Sequence, residues 1–418
     1  MAEYNPPVRG GQAFSGEDNG QSHEADRPES PSRKPSPAPS GASKRDDTPS
    51  APAPAAQPGR AGQGFPRSET RTEPRPAPLH RQAYAAIDLG TNNCRLLIAR
   101  PSGENFVVID AFSRVVRLGE GLSQSGRLSD EAMDRALGAL HICAEKLRKR
   151  SVHLARSVAT EACRRASNGE AFIERVHRET GIRLNIISAQ EEARLAVLGC
   201  HILLEHGEGP AMIFDIGGGS TELVLIETTG TVPRILDWQS VPWGVVSLTE
   251  SVGPVEDSPA GRAAAYAAMR QRVDDSFAPF AERIADAREL AAQIGDARLL
   301  GTSGTVTTLA SLHLDLPQYD RRAVDGLIVP ADSMRAISQR LASLSVAERQ
   351  AVPCIGRERS DLVVAGCAIL ESIFDVWPAE RLGVADRGIR EGILRSLMAA
   401  GGEAERSHAA VRRLKGNR

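Results

Sequence analysis

Residues 214–222 read Phe-Asp-Ile-Gly-Gly-Gly-Ser-Thr-Glu and lie between two apolar runs, residues 211–213 and 223–226. This pattern predicts a strand, a tight turn and a second strand. Three glycines allow positive φ angles and leave no Cβ between the N–H groups of the turn and a ligand. Successive N–H groups in such a turn form a concave anion site, for which phosphate is a natural occupant. For this stretch alone, an ordinary glycine-rich hairpin is the structural alternative.

Two carboxylates flank this turn, because Asp215 ends the incoming strand and Glu222 begins the outgoing one. Carboxylates beside a phosphate call for a cation. Mg²⁺ is commonly held by one or two carboxylates together with substrate oxygens and water. The sequence therefore predicts a Mg²⁺ site at Asp215 and Glu222, with Mn²⁺ as the alternative metal.

The same pattern occurs earlier in the chain, in residues 88–98. Counted from the aspartate of each copy, Gly90 matches Gly217 and Arg95 matches Glu222 without a gap. A third apolar strand is expected after each copy. Two similar units predict two similar lobes, and two phosphate-type turns predict a cleft between them.

A pair of glutamates follows the expected strand 182–187. Ser188 and Glu191 have the spacing of a capping box, which gives Glu191 a structural role at a helix N-terminus. Glu192 lies about 100° further around the helix and must face something else. It is a candidate general base at the boundary between the lobes, and an exposed first-turn glutamate is the alternative.

Two further stretches are compatible with phosphate. Residues 160–168 carry Arg164 and Arg165 from a strand into a helix, where they suit bidentate phosphate binding or form a solvated surface pair. Residues 298–309 predict a strand that runs through a loop of small residues into a helix, and helix N-termini after such loops bind phosphate.

The bulk composition limits the possible functions. With 418 residues the chain is long enough for two domains, and a net charge of −2 does not indicate a general nucleic-acid or membrane-surface binder. The six cysteines form no CxxC pair, and no apolar run approaches the roughly 18 residues of a membrane span. We expect a cytoplasmic protein with free thiols. Residues 1–80 contain 15 of the 26 prolines and are expected to be a disordered Pro/Ser/Ala-rich tail.

Together these motifs resemble the phosphate motifs of the actin-like ATPase superfold. With residues 159–168, 191–194 and 386–392 added, the chain is similar, over roughly residues 82–398, to the exopolyphosphatase and guanosine pentaphosphate phosphatase (Ppx/GppA) family, in its short form without the C-terminal helical domain. The resemblance implies an α/β fold with two ribonuclease-H-like lobes around a cleft. It places an N-terminal lobe at 82–190, a C-terminal lobe at 191–398 and a basic flexible tail at 399–418.

The resemblance also implies roles for particular residues. Glu192 matches the catalytic base that activates water, Asp215 and Glu222 match the Mg²⁺ ligands, and Arg164 matches an arginine that grips the phosphate chain. The other expected phosphate-binding residues are Gly90, Thr91, Asn92, Arg95, Gly217, Gly218, Gly219, Ser220, Thr221, Gly301, Thr302, Ser303 and Gly304.

The expected activity is Mg²⁺-dependent release of terminal phosphate from inorganic polyphosphate. Basic residues near the motifs offer a track for a linear polyanion, while aromatic residues that could hold a guanosine make up only 4% of the chain. One alternative is a guanosine pentaphosphate (pppGpp) 5′-phosphohydrolase. A second is a (p)ppGpp-binding regulator with little turnover. We expect no DNA, RNA or membrane partner, and a homodimer is compatible with the resemblance.

The composition of the N-terminal segment yields the first prediction. Deletion of residues 1–80 is expected to leave the melting temperature and the catalytic constants nearly unchanged, because a disordered tail contributes few contacts. Thermal denaturation and steady-state kinetics of the truncated protein test this. A clear loss of stability would show that the segment docks on the lobes.

Overall fold

A computed structural model describes residues 82–103, 105–228, 232–295 and 297–401. The segment 1–80 and most of the expected tail at 399–418 lie outside these residues, and residues 399–401 belong to a helix. In the described part of the chain, no helix is long and apolar enough to cross a membrane.

The first sheet contains five strands in the order β3-β2-β1-β4-β5. Their bounds are β1 Ala83–Leu89, β2 Asn93–Ser102, β3 Asn105–Val115, β4 Val152–Ala159 and β5 Leu184–Ile186. Strand β1 is antiparallel to β2 and parallel to β4. It lies in the middle of the sheet and is buried nearly throughout, which accounts for its continuous apolar sequence.

The second sheet repeats this order and adds one strand at its edge, giving β10-β11-β9-β6-β7-β8. Its strands are β6 Pro210–Ile216, β7 Thr221–Glu227, β8 Arg234–Val241, β9 Arg298–Thr302, β10 Ile328–Pro330 and β11 Arg381–Ala385. Strand β6 is antiparallel to β7 and parallel to β9, as β1 is to β2 and β4. The two units predicted from the repeated motif are therefore confirmed as two sheets of the same topology.

Helices cover the sheets. The longer ones are α2 Asp130–Lys149, α4 Gly169–Thr180, α5 Ala189–Cys200, α6 Val245–Val252, α7 Pro259–Arg283, α8 Ala285–Ile294, α9 Gly304–His313, α11 Ala331–Ser343 and α13 Val363–Val376, while residues 389–401 form α14. The short ones are α1 Leu122–Ser125, α3 Glu161–Arg165, α10 Arg321–Val324 and α12 Val346–Gln350. Helices α7 and α8 follow each other directly and meet at Ile284.

Helix α5 joins the two sheets because both of its faces are apolar. One face, with Leu195 and Ala196, packs among Tyr84 of the first sheet and Ile393 of α14. The other face, with Val197, packs against strands of the second sheet. This double burial fixes the first turn of α5 at the junction of the two sheets.

Helices α5 and α14 touch through their backbones. A Cβ on Gly392 would lie 2.0 Å from the carbonyl oxygen of Leu195, and a Cβ on Gly199 would lie 2.0 Å from that of Gly388. Only glycine permits this approach, so the position of α5 depends on these two residues.

We predict that Gly392→Ala lowers the melting temperature, because the new methyl group must push α14 away from the backbone of α5. Gly138→Ala is the matched control: it lies exposed in α2, where a Cβ would meet no atom within 4 Å. That change is expected to stabilise the protein by about 0.5–1 kcal/mol. Thermal denaturation of both variants tests the contact, and equal effects would contradict it.

Candidate active site

The two glycine turns have the same hydrogen bond. The N–H of Gly90 donates to the carbonyl oxygen of Asn93 at 2.9 Å, and the N–H of Gly217 donates to that of Ser220, also at 2.9 Å. Within the described ranges, no protein acceptor is bonded to the N–H groups of residues 218–220. These free donors surround a concave turn, an arrangement suited to an anion.

Close contacts with the first turn, and not backbone angles, explain why the second turn consists of glycines. The expectation of positive φ angles is wrong, because the positive-φ glycines of the structure lie elsewhere. A Cβ on Gly218 would lie 3.0 Å from the backbone nitrogen of Asn92, and one on Gly219 would lie 2.6 Å from Oγ1 of Thr91. The two turns therefore face each other so closely that side chains on the second turn would collide with the first.

Each turn is flanked by a cross-strand pair. Asp88 is directly opposite Arg95 on β1 and β2, and Asp215 is directly opposite Glu222 on β6 and β7. The correspondence of Arg95 with Glu222 expected from the repeat is therefore confirmed by the strand register. The first lobe has residues of opposite charge at this position, whereas the second lobe has two carboxyl groups, a destabilising arrangement for ionised side chains.

Glu222 is only 2% exposed and its Oε1 accepts hydrogen bonds from the hydroxyl groups of Ser220 (2.7 Å) and Ser240 (3.0 Å). Burial raises its pKa to about 7 although both hydroxyls favour the charged form. Burial and the nearby Glu222 raise the pKa of Asp215 to about 8. The pair is therefore costly to ionise without a cation.

The two glutamates of α5 differ as the sequence indicates. Ser188 caps the helix, since its hydroxyl accepts the N–H of Glu191, but the Glu191 carboxylate does not reach back to Ser188 as a capping box requires. It binds Arg156 at 2.8 Å and Arg194 at 2.7 Å instead. Glu192 is 6% exposed and lines the cavity between the turns. Burial, followed by Glu222, raises the pKa of Glu192 well above its ordinary value, while Arg164 opposes the shift.

Arg164 lies in the short helix α3, within the segment expected to lead from a strand into a helix. Its Nη1 donates to Oε2 of Glu192 at 3.0 Å and to the carbonyl oxygen of Ile187 at 2.8 Å. Its Nε and Nη2 donate to Oε2 of Glu161. Arg164 is thus already bound to two carboxylates, and the structure does not show the open guanidinium fork that bidentate phosphate binding would need.

Besides Arg164, two expected phosphate-binding residues line neither cavity. Gly301 is buried in β9, where a Cβ would lie 2.4 Å from the ring of Phe214, so packing accounts for this glycine. Thr221 is fully buried, and its hydroxyl donates to the carbonyl oxygen of Trp243 at 2.7 Å. The neighbouring Ser303 and Gly304 do line the site, and Ser303 caps α9.

Two adjoining cavities occupy the cleft. The smaller, of about 120 Å³, lies between the turns, and the larger, of about 820 Å³, adjoins it. The expected site residues lining the smaller one are Gly90, Thr91, Asn92, Arg95, Glu192, Asp215, Gly217, Gly218, Gly219, Ser220, Ser303 and Gly304. Thr302 lines the larger one. Sequence reasoning did not select Glu161 or Asp88 as site residues, although both line these cavities.

The donors in this site fit a hard divalent cation that also binds substrate. Among the described residues, no group of three or more His, Cys, Asp or Glu side chains could hold a metal ion. Mg²⁺ needs only one or two carboxylates when phosphate oxygens and water complete its shell. Asp215 lines the smaller cavity, and Oδ1 of Asn92 is buried there without a hydrogen-bond partner in the described part of the chain. Burial raises the pKa values of Asp215 and Glu222, and a bound cation would favour their ionised forms.

A profile of the Ppx/GppA phosphatase family matches residues 97–400, which is well over half of the chain. The chain belongs to this family. It is similar to a candidate exopolyphosphatase of Haemophilus influenzae, with 28% identity over 77% of this chain and 94% of the relative. It is also 30% identical to a guanosine-5′-triphosphate,3′-diphosphate pyrophosphatase of Aliivibrio fischeri, over 74% of this chain and 58% of that relative.

The fold agrees with this assignment. The crystal structure of a Ppx/GppA family member from Aquifex aeolicus matches with a TM-score of 0.60 and 26% identity, covering 77% of this chain and 98% of that one. The expected α/β fold, with two ribonuclease-H-like lobes of the actin-like ATPase superfold, is confirmed. This Ppx/GppA phosphatase is a hydrolase of phosphoric anhydride bonds.

The raised pKa of Asp215 predicts that the free energy of unfolding depends on pH. A carboxyl group whose pKa is about 8 in the folded state and near 4 when unfolded makes the metal-free protein lose stability as the pH rises from 4 through 8. We therefore expect Asp215→Asn to match the wild type in stability at pH 4 and to exceed it at pH 8. Denaturant titrations in EDTA at both pH values test this, and a variant less stable at pH 8 would contradict it.

Proposed function

We propose that this protein is an exopolyphosphatase that releases orthophosphate from the end of inorganic polyphosphate. The observation that supports this most is the larger cavity, which adjoins the turns and is rich in arginine. Both cavities are lined by Arg95 and Arg359, so a chain that begins at the turns can continue into the larger space.

The arginines of the larger cavity divide into two groups. Arg321 and Arg387 are held by the carboxylates of Asp386 and Asp325, respectively. In the described part of the chain, the others make no side-chain hydrogen bond or ion pair; they are Arg95, Arg114, Arg357, Arg359 and Arg390. Cations that make no hydrogen bond or ion pair to a carboxylate, and that lie along an open cavity, suit a linear polyanion with one charge per phosphate unit. Of the five, Arg95 also lies opposite Asp88 in the strand register.

In this proposal the terminal phosphoryl group occupies the smaller cavity, where the N–H groups of residues 218–220 stabilise its charge. Asp215, Glu222 and Asn92 would hold Mg²⁺, which supplies positive charge to the phosphate oxygens. Glu192 accepts a proton from the attacking water, and its raised pKa makes it a stronger base than an ordinary glutamate. Arg164 keeps the Glu192 carboxylate in place. The products are orthophosphate and a chain shortened by one unit.

A pppGpp 5′-phosphohydrolase is the second candidate, favoured by the similarity to the Aliivibrio protein. The same turns and the same base would serve it, but a guanosine must then fit in the larger cavity. Tyr319 is the one aromatic side chain among the residues that line this cavity, and it is 45% exposed. One tyrosine, compared with five arginines that make no side-chain hydrogen bond or ion pair, makes polyphosphate the better match.

Phosphate release from polyphosphate, pppGpp and ATP at equal concentrations tests the substrate. We expect the highest kcat/KM with polyphosphate, and a steep loss of activity with added salt because the contacts are electrostatic. Glu192→Gln is expected to lower kcat by about 10²–10⁴-fold, the range for a lost general base. Glu191→Gln, its neighbour on the same helix turn, is the matched control and should retain most activity.

A higher kcat/KM for pppGpp would replace polyphosphate with the second candidate. Tight binding of (p)ppGpp without release of phosphate would indicate a regulator. Equal loss in both glutamate variants would contradict the assignment of Glu192 as the base.

A further inference from the structure

We propose that Glu161 is a positioning residue for the hydrolysis, which holds Arg164 in the orientation that keeps the Glu192 carboxylate directed into the smaller cavity. This inference rests on the proposed role of Glu192 as the base. The new element is that Glu161 acts on the Glu192 carboxylate only through Arg164.

The contacts of Arg164 carry the argument. Oε2 of Glu161 accepts from both Nε and Nη2, so it holds one edge of the guanidinium group. The other edge, at Nη1, is left to the carbonyl oxygen of Ile187 and to Oε2 of Glu192. Because the guanidinium is planar and rigid, fixing its Nε edge also fixes the direction in which Nη1 points.

Glu161 is itself held firmly. Its side chain is 12% exposed and lies in the first turn of α3, directly after the end of β4. Across the cleft it lies against the second turn, since a Cβ on Gly219 would be 3.0 Å from its Cγ. Because Glu161 contacts the second turn, it can fix the orientation of Arg164 relative to the phosphate site. Arg164 can in turn fix the orientation of the Glu192 carboxylate.

Packing alone does not account for a glutamate at this position. Its negative charge is one of the influences that raise the pKa of the buried Glu222. A glutamine or a methionine would fill nearly the same volume without adding like charge to a cluster of buried carboxyl groups. The carboxylate is explained by its two hydrogen bonds to Arg164, which a neutral side chain makes more weakly. Its contact with Arg165 is longer, an ion pair of 3.9 Å without a hydrogen bond.

Steady-state kinetics of Glu161 variants test the inference. Glu161→Ala is expected to lower kcat by about 10–100-fold, the scale of a small misplacement of a catalytic group, while KM changes by less than about threefold. Glu161→Gln should recover most of the loss, because its amide oxygen still accepts from Arg164. Glu170→Ala, an exposed glutamate at the start of α4, is the control and should match the wild type.

A double-mutant cycle with Arg164→Ala tests whether Glu161 acts through the arginine. In that background Glu161→Ala should cause almost no further loss of kcat, since the group it positions is absent. If Glu161→Ala fails to fold by near-UV circular dichroism, Glu161→Met keeps the volume without the hydrogen bonds and should show the same loss of kcat.

Two results would overturn the inference. Additive losses in the cycle would show that Glu161 acts independently of Arg164. An unchanged kcat with a lower KM would show that Glu161 competes with substrate phosphate for the arginine. The proposed function is tested separately by Glu192→Gln: a large loss there beside a silent Glu161→Ala rejects only the inference, whereas a silent Glu192→Gln rejects the assignment on which it rests.

Discussion

Burial of carboxyl groups at the junction of the two sheets is the constraint on which the site depends. Asp215 and Glu222 face each other across β6 and β7, and Glu192 reaches the same region from α5. Burial disfavours the ionised form of each group, and their mutual repulsion adds to this. The ionised forms of these groups therefore require positive charge nearby, which Arg164 supplies to Glu192.

The two sheets share one topology but differ in the charges at one cross-strand position. Both sheets place an aspartate at the end of a central strand, and the residue opposite is Arg95 in the first lobe and Glu222 in the second. The first pair has opposite charges, although burial still raises the pKa of Asp88 in spite of Arg95. The second pair consists of two carboxyl groups, so this difference of one side chain adds negative charge on the side of the second lobe.

The sequence was sufficient to predict what depends on local pattern. The repeated aspartate and glycine turn led to two lobes, and Ser188 with Glu191 led to the correct helix start and the different setting of Glu192. It could not predict contacts made across the cleft. The second turn requires glycine because Thr91 of the first turn lies against it, and this contact depends on how the two lobes pack together. The burial of Glu161 depends on the same packing between the lobes.

Arginine illustrates why motif residues need their partners before a role can be assigned. From sequence, Arg164 and Arg359 are equally suited to phosphate, because both are planar cations in polar segments. In the structure most of the N–H donors of Arg164 are occupied by Glu161, Glu192 and a backbone carbonyl. Arg359 lies over the start of α9 with no acidic partner in the described chain. A guanidinium that holds the Glu192 carboxylate cannot at the same time offer its full fork to a substrate. In the proposed mechanism, orientation of the base and attraction of the polyanion therefore belong to different arginines.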